Sequence, residues 1–170
     1  MPALPPIGAE IPRSMIAVNS SLTYQGTPHT LDFRGGIKKR VDVNPVDPIN
    51  SVRLRTVGFR LTGEHDSLGT VTIEQNDIDA DVQSLLTLTR QFPPEFIDRD
   101  VLSFSLTFGS DDEPIILTTR EPMVLTAKLT QYPPRGDLYQ LEKPVELVSL
   151  DDGDKVVAVL DALPLKTGGL

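Results

Sequence analysis

Residues 101–108 read VLSFSLTF. Leu102, Phe104, Leu106 and Phe108 fall on one parity, with Ser103, Ser105 and Thr107 on the other. Successive side chains of a strand point to opposite faces, so strict alternation of this kind predicts a strand with one buried face. The stretch MVLTAKLT (123–130) repeats the device with Met123, Leu125, Ala127 and Leu129. Phe59, Phe104, Leu106, Leu125 and Leu129 are the expected core.

The same period runs outward from these two stretches. SMIAVNSSLTY (14–24), TVTIEQ (70–75) and PIILTT (114–119) read as further strands, with Val71 and Ile73 directed inward. TLDFRGGIKKRVDV (30–43) reads as two short strands turned at Gly35-Gly36, a dipeptide that tolerates the backbone angles of a tight hairpin. In SVRLRTVGFRLTGE (51–64), Val52 and Leu54 share one parity, whereas Val57, Phe59 and Leu61 share the other. One extra residue near Thr56-Val57-Gly58 restores the phase, so a β-bulge is predicted there, leaving Arg53, Arg55 and Arg60 on the wet face. KVVAVL (155–160) is apolar on both faces, which places it inside a sheet or under a loop.

No long segment carries a 3.6-residue period. DADVQSLLTLTR (79–90) comes nearest, but its threonines and the following Pro93-Pro94 favour the end of a strand. About nine to eleven strands separated by turns predict an all-β chain, an antiparallel sandwich or barrel. Pro2, Pro5, Pro6 and Pro12 suggest an unpaired arm over residues 1–13. The all-β domain is expected over 14–163, with a tail over 164–170.

Composition narrows the function. The 170 residues hold 16 Lys and Arg against 24 Asp and Glu, for a formal charge of −8, and no Cys. Net negative charge argues against phosphate backbones and anionic membranes as partners. Without cysteine there is no disulfide, thiolate catalysis or cysteine-ligated zinc. The opening residues show neither the basic start nor the apolar run of a secretory signal, and no stretch has the length of a membrane-spanning helix. A soluble cytoplasmic protein is expected, a reading equally compatible with a processed mature chain.

Candidate motifs were weighed against plainer readings. Arg135-Gly136-Asp137 matches an adhesion tripeptide, but Pro133-Pro134 before it and the glycine within it read as a surface turn. Gln91-Phe92-Pro93-Pro94 and Gln131-Tyr132-Pro133-Pro134 match at an offset of forty residues. Their flanks agree poorly, which favours two similar strand exits over a duplication, with Phe92 and Tyr132 each able to fold over an end of the core. Glu64-His65-Asp66-Ser67 reads as a polar turn rather than a nucleophilic triad, because adjacent residues on a tight turn point apart. His29 and His65 could meet with carboxylates around a metal, though nothing in their spacing indicates it. Asp77, Asp79 and Asp81 form a calcium-like run, yet it lacks the glycine and the glutamate of an EF-hand loop, so a solvated acidic connection is expected.

No catalytic, cofactor-binding or metal residue is therefore assigned, and no cofactor is expected. The sequence favours a non-catalytic binding or accessory protein whose partner, a protein or a small apolar ligand, is not identified. The alternatives are a barrel holding a small apolar ligand, and an enzyme acting on such a ligand with carboxylates, an arginine or His65.

Overall fold

The computed structural model describes residues 4–76, 78, 83–109 and 112–169. The run Asp77, Asp79, Asp81 lies outside them. Thirteen antiparallel strands and no α-helix are found among the described residues: β1 (Glu10–Tyr24), β2 (Thr27–Val43), β3 (Ser51–His65), β4 (Gly69–Gln75), β5 (Leu85–Gln91), β6 (Pro94–Leu102), β7 (Phe104–Gly109), β8 (Pro114–Thr119), β9 (Met123–Leu129), β10 (Asp137–Leu141), β11 (Val145–Ser149), β12 (Val156–Ala162) and β13 (Leu165–Gly169). The all-β antiparallel architecture is as expected. No helix among these residues is long and apolar enough to cross a membrane.

The pairing order is β12-β11-β8-β7-β4-β3-β2-β1-β13-β10-β9-β6-β5, with β12 also paired to β1 and β3 to β5. These two extra pairings close the ladder twice. The first circuit contains β1, β2, β3, β4, β7, β8, β11 and β12; the second contains β1, β2, β3, β5, β6, β9, β10 and β13. Strands β1, β2 and β3 belong to both, which explains lengths of 15, 17 and 15 residues, against a usual five or six or so. Closure also removes the open sheet edges that invite aggregation.

The shared strands change partners at bulges. On β1, Arg13–Ala17 pair with β13 and Ser21–Tyr24 with β12. Between them Ala17 faces Phe33 and Ser20 faces Leu31, so two residues of β1 stand opposite Asp32 alone. Asn19 takes a φ of 59°, and its backbone N–H donates to Asp32 Oδ1 at 2.8 Å. On β3, Ser51–Arg53 pair with β5 and Arg60–His65 with β4. Lys38 faces Gly58 and Lys39 faces Thr56, leaving Val57 as the extra residue. This is the predicted bulge. It puts Val52, Leu54, Phe59 and Leu61 inside while Val57 turns outward.

The two short strands expected around Gly35-Gly36 are instead one continuous β2, and the hairpin lies at Gln25-Gly26, both with positive φ. The reason is contact rather than turning. A Cβ on Gly35 would stand 1.9 Å from the carbonyl oxygen of Arg60, where the β2 and β3 backbones approach. Gly35→Ala is expected to destabilise by about 1–3 kcal/mol through overpacking that no side-chain rotation relieves. An unchanged urea midpoint would show that the two backbones separate freely there.

Both ends set apart as an arm and a tail take part in the sheet. Residues 10–13 of the proposed arm begin β1, with Pro12 opposite Lys38. Residues 165–169 of the proposed tail form β13 between β1 and β10. The strand count exceeds the expected nine to eleven because β6, β10, β11 and β13 lack clean alternation.

The alternating stretch 101–108 is divided between the circuits. Leu102 ends β6 in the second and Phe104 begins β7 in the first. Ser103 between them is buried, its hydroxyl 2.8 Å from that of Thr119. Phe59, Phe104, Leu106, Leu125 and Leu129 are all buried in one continuous apolar cluster.

Candidate functional site

The first circuit is filled by apolar side chains, among them Leu22, Phe33, Leu61, Ile73, Leu106 and Leu147. The second departs from this. Three of its strands place charged residues on the inward parity: Arg13 two before Met15 on β1, Lys39 between Ile37 and Val41 on β2, and Asp98 and Asp100 between Phe96 and Leu102 on β6. All four side chains are essentially inaccessible to solvent.

They meet in one cluster. Arg13 Nη1 donates to Asp98 Oδ2 at 3.4 Å and to the Tyr139 hydroxyl at 2.9 Å, and Arg13 Nη2 donates to Asp100 Oδ2 at 3.4 Å. The Tyr139 hydroxyl donates to Asp98 Oδ2 at 2.5 Å. Lys39 Nζ lies 3.1 Å from Asp100 Oδ1 and donates to Thr56 Oγ1 at 2.8 Å and to the Leu54 carbonyl at 3.4 Å. The Arg13 guanidinium carbon sits 5.8 Å from the ring centroid of Tyr132 and 5.4 Å from that of Tyr139, adding cation–π attraction.

Five polar atoms in this part of the fold are buried without a hydrogen-bond partner; Asp100 Oδ1 has the ion contact to Lys39, which leaves four with none: Arg13 Nε, Asp98 Oδ1, the Tyr132 hydroxyl and Thr167 Oγ1. Each carries the cost of lost hydration without a bond in return. Buried polar groups are normally bonded to protein or to ordered water, so this concentration singles out the second circuit among the interiors of the fold.

Burial works against the charge on Arg13, but Tyr132, Asp100, Tyr139 and Asp98 around it outweigh that, and its pKa rises. For Asp98, burial and the adjacent Asp100 carboxylate push the carboxyl up to about 7, against the pull of Arg13, Tyr139 and Lys39. Burial also opposes ionisation of Asp100, but Lys39 and Arg13 prevail and hold its carboxyl below the usual range. Burial raises the phenols of both Tyr132 and Tyr139.

A pH dependence follows from the difference between the two carboxylates. An unfolded aspartate loses its proton near pH 4, roughly. Folded Asp98 keeps its proton until about pH 7. Between those values the folded state binds the extra proton, so stability falls as pH rises. Asp100 acts in the opposite sense: its contribution is present above the unfolded value and lost as acid protonates it in the folded state. Urea midpoints are expected to drop from pH 5 to pH 8 in the native protein, and Asp98→Asn is expected to flatten that drop. A drop of equal size in the variant would assign it to other groups.

Sequence reasoning placed Arg13 in a loose arm and assigned no role to Lys39, Asp98, Asp100 or Tyr139. The residues it singled out lie elsewhere. Arg135-Gly136-Asp137 forms a turn leading into β10: the Arg135 N–H donates to Asp137 Oδ2 at 2.8 Å, and the Gly136 N–H to the Thr167 carbonyl at 2.7 Å. Gly136 has a φ of 74°. The two Gln-aromatic-Pro-Pro segments join β5 to β6 and β9 to β10, each with a cis bond before its first proline. Their aromatic rings part company: Tyr132 packs on the core beside Arg13, whereas Phe92 is 91% exposed.

His29 and His65 do come together, edge to face with ring centroids 4.9 Å apart. His65 Nδ1 accepts the Ser67 N–H at 3.0 Å, and Glu64 Oε1 accepts the Thr70 hydroxyl at 2.7 Å, which makes 64–70 a hydrogen-bonded turn. Among the described residues no group of three or more metal-ligating side chains forms.

Fold and cluster together define an antiparallel β-protein of two barrel-like circuits with three strands in common, one apolar inside and the other charged. A solved structure of similar shape is DynF, from the dynemicin biosynthesis pathway of Micromonospora chersina. The two share 19% sequence identity with a TM-score of 0.75, over 99% of this chain and 84% of that one. No protein-family model and no curated protein sequence matches the chain.

Proposed function

We propose that the protein is a non-catalytic binding protein that takes a small amphiphilic molecule into its second circuit. The observation that carries this reading is the buried cluster of Arg13, Lys39, Asp98 and Asp100 with its four unpartnered polar atoms. A polar head group would bond those atoms. The apolar body would lie against the aliphatic side chains of the same interior, such as Met15, Leu125 and Leu165. The interior of a closed circuit of about eight strands is either filled by side chains or wide enough for one small ligand. DynF is in keeping with this reading, since a fold of this shape occurs in the dynemicin biosynthesis pathway.

The small apolar ligand of the alternative sequence reading is replaced here by one with a polar end, because charges line the interior. Methyl-resolved NMR tests the proposal with octanol and octanoate as probes. The signals of Met15, Leu125 and Leu165 are expected to shift in a saturable manner, while those of Leu61 and Leu106 in the first circuit stay in place. If neither probe moves the second-circuit methyls, the reading is wrong.

A further inference from the structure

The cluster holds two cations and two carboxylates, so it is balanced when all four are ionised. Its two carboxylates are not equally held. Asp100 faces both cations, Lys39 Nζ at 3.1 Å and Arg13 Nη2 at 3.4 Å. Asp98 is in ion-pair contact with one cation, Arg13 at 3.4 Å, with the Tyr139 hydroxyl and the Asp100 carboxylate beside it and Lys39 acting from farther away. A negatively charged head group arriving here would leave the balanced cluster one charge in excess. A buried charge without a counterpart is costly, and the relief open to a carboxylate is to take a proton. Geometry selects Asp98, the less compensated of the two.

We propose that the second circuit binds the carboxylate of a small amphiphile and that Asp98 takes up one proton from solvent as it does so. This rests on the binding reading above and specifies its ligand class. Arg13 Nε, the Tyr132 hydroxyl and Thr167 Oγ1 are buried donors free to bond carboxylate oxygens. One proton on Asp98 compensates one negative charge, which suits a monoanion; a dianionic phosphate would remain uncompensated. The one bond made is the O–H of Asp98, its proton coming from solvent: a carboxylate, a proton and ionised Asp98 give a bound carboxylate and a neutral Asp98.

The groups facing Asp98 leave it as the member that titrates near neutrality. They are Arg13 from β1, Lys39 from β2, Asp100 on its own strand, Tyr132 from the β9–β10 connection and Tyr139 from β10. Inward residues of β9, including Leu125 and Ala127, are apolar. Arg13 and both phenols are raised from already high values, and Asp100 is held low. The Asp98 carboxyl already stands at about 7, so little work is needed to protonate it.

Calorimetric titration with octanoate at pH 8, in phosphate and in Tris, reads the proton directly, because the two buffers differ in ionisation enthalpy. Uptake of close to one proton per octanoate is expected, with affinity falling about tenfold per pH unit above pH 8, the value of one linked proton. Octanol is expected to bind without uptake. In Asp98→Asn, octanoate binding is expected to lose both its proton uptake and its pH dependence. As a check that uses no variant, infrared difference spectra of the native protein should gain a protonated-carboxyl band when octanoate binds. Octanoate binding without uptake, uptake that persists in Asp98→Asn, or binding of octanol alone would each overturn this proposal and leave the binding reading intact. Failure of both probes would sink the two together.

Discussion

Asp100→Ala is expected to lower unfolding free energy by about 3–5 kcal/mol, the usual cost of leaving a buried charge without its partner. Asp100 is the hinge of the ion network, since it alone contacts both Lys39 and Arg13. Its removal leaves Lys39 Nζ with only the Thr56 hydroxyl and the Leu54 carbonyl, two neutral acceptors for a full charge. Asp98→Asn should cost clearly less, because it retains the shape of the side chain and Asp98 pairs with a single cation. Urea denaturation of both variants at pH 7 makes the comparison. A loss under about 1 kcal/mol for Asp100→Ala would mean that water reaches the two cations and that the network is not sealed.

Phe104→Ala is the second large effect, also expected at about 3–5 kcal/mol, here from lost packing and the cavity left behind. Phe104 is fully buried at the start of β7, where the chain crosses from the second circuit to the first, and stands opposite Gln75 of β4. The surrounding strands are tied in a closed ladder, so the site has little freedom to collapse around a smaller side chain. Urea denaturation measures the loss. A value below about 1 kcal/mol would show that the first circuit relaxes to fill the space. The two variants probe different parts of one continuous interior, one held by charge and the other by packing.

These expectations differ in how much of their basis was visible in the sequence. The phase of 102–108 and of 123–129 showed which side chains are buried. The change of parity between Leu54 and Phe59 located a bulge to within a residue. Gly35-Gly36 misled, because glycine serves close backbone approach as well as turning, and only the position of Arg60 across the sheet distinguishes the two. The ion cluster was missed for a related reason. Charged residues are ordinarily solvated, so Arg13 was left in an arm and Lys39 went unremarked within a basic run. Yet each charged member falls on the parity of apolar neighbours: Phe96, Asp98, Asp100, Leu102 on one strand, and Ile37, Lys39, Val41 on another. A charge in step with an apolar face is a signal that can be read without coordinates. Its partners cannot, because they come from strands distant in the chain: Asp98 lies 85 residues from Arg13 and 41 from Tyr139.

The three long strands common to both circuits serve as a party wall. Each room of the building leans on it, and neither can be pulled down alone. Loss of the β12–β1 seam would strip the C-terminal half of one edge of β1 while the N-terminal half of that edge stays bound to β13, so damage in one room strains the masonry of its neighbour. The chain is therefore not two modules in tandem. Its halves could not have been exchanged, duplicated or deleted separately without rebuilding the wall, and a change of lodger in one room is felt next door.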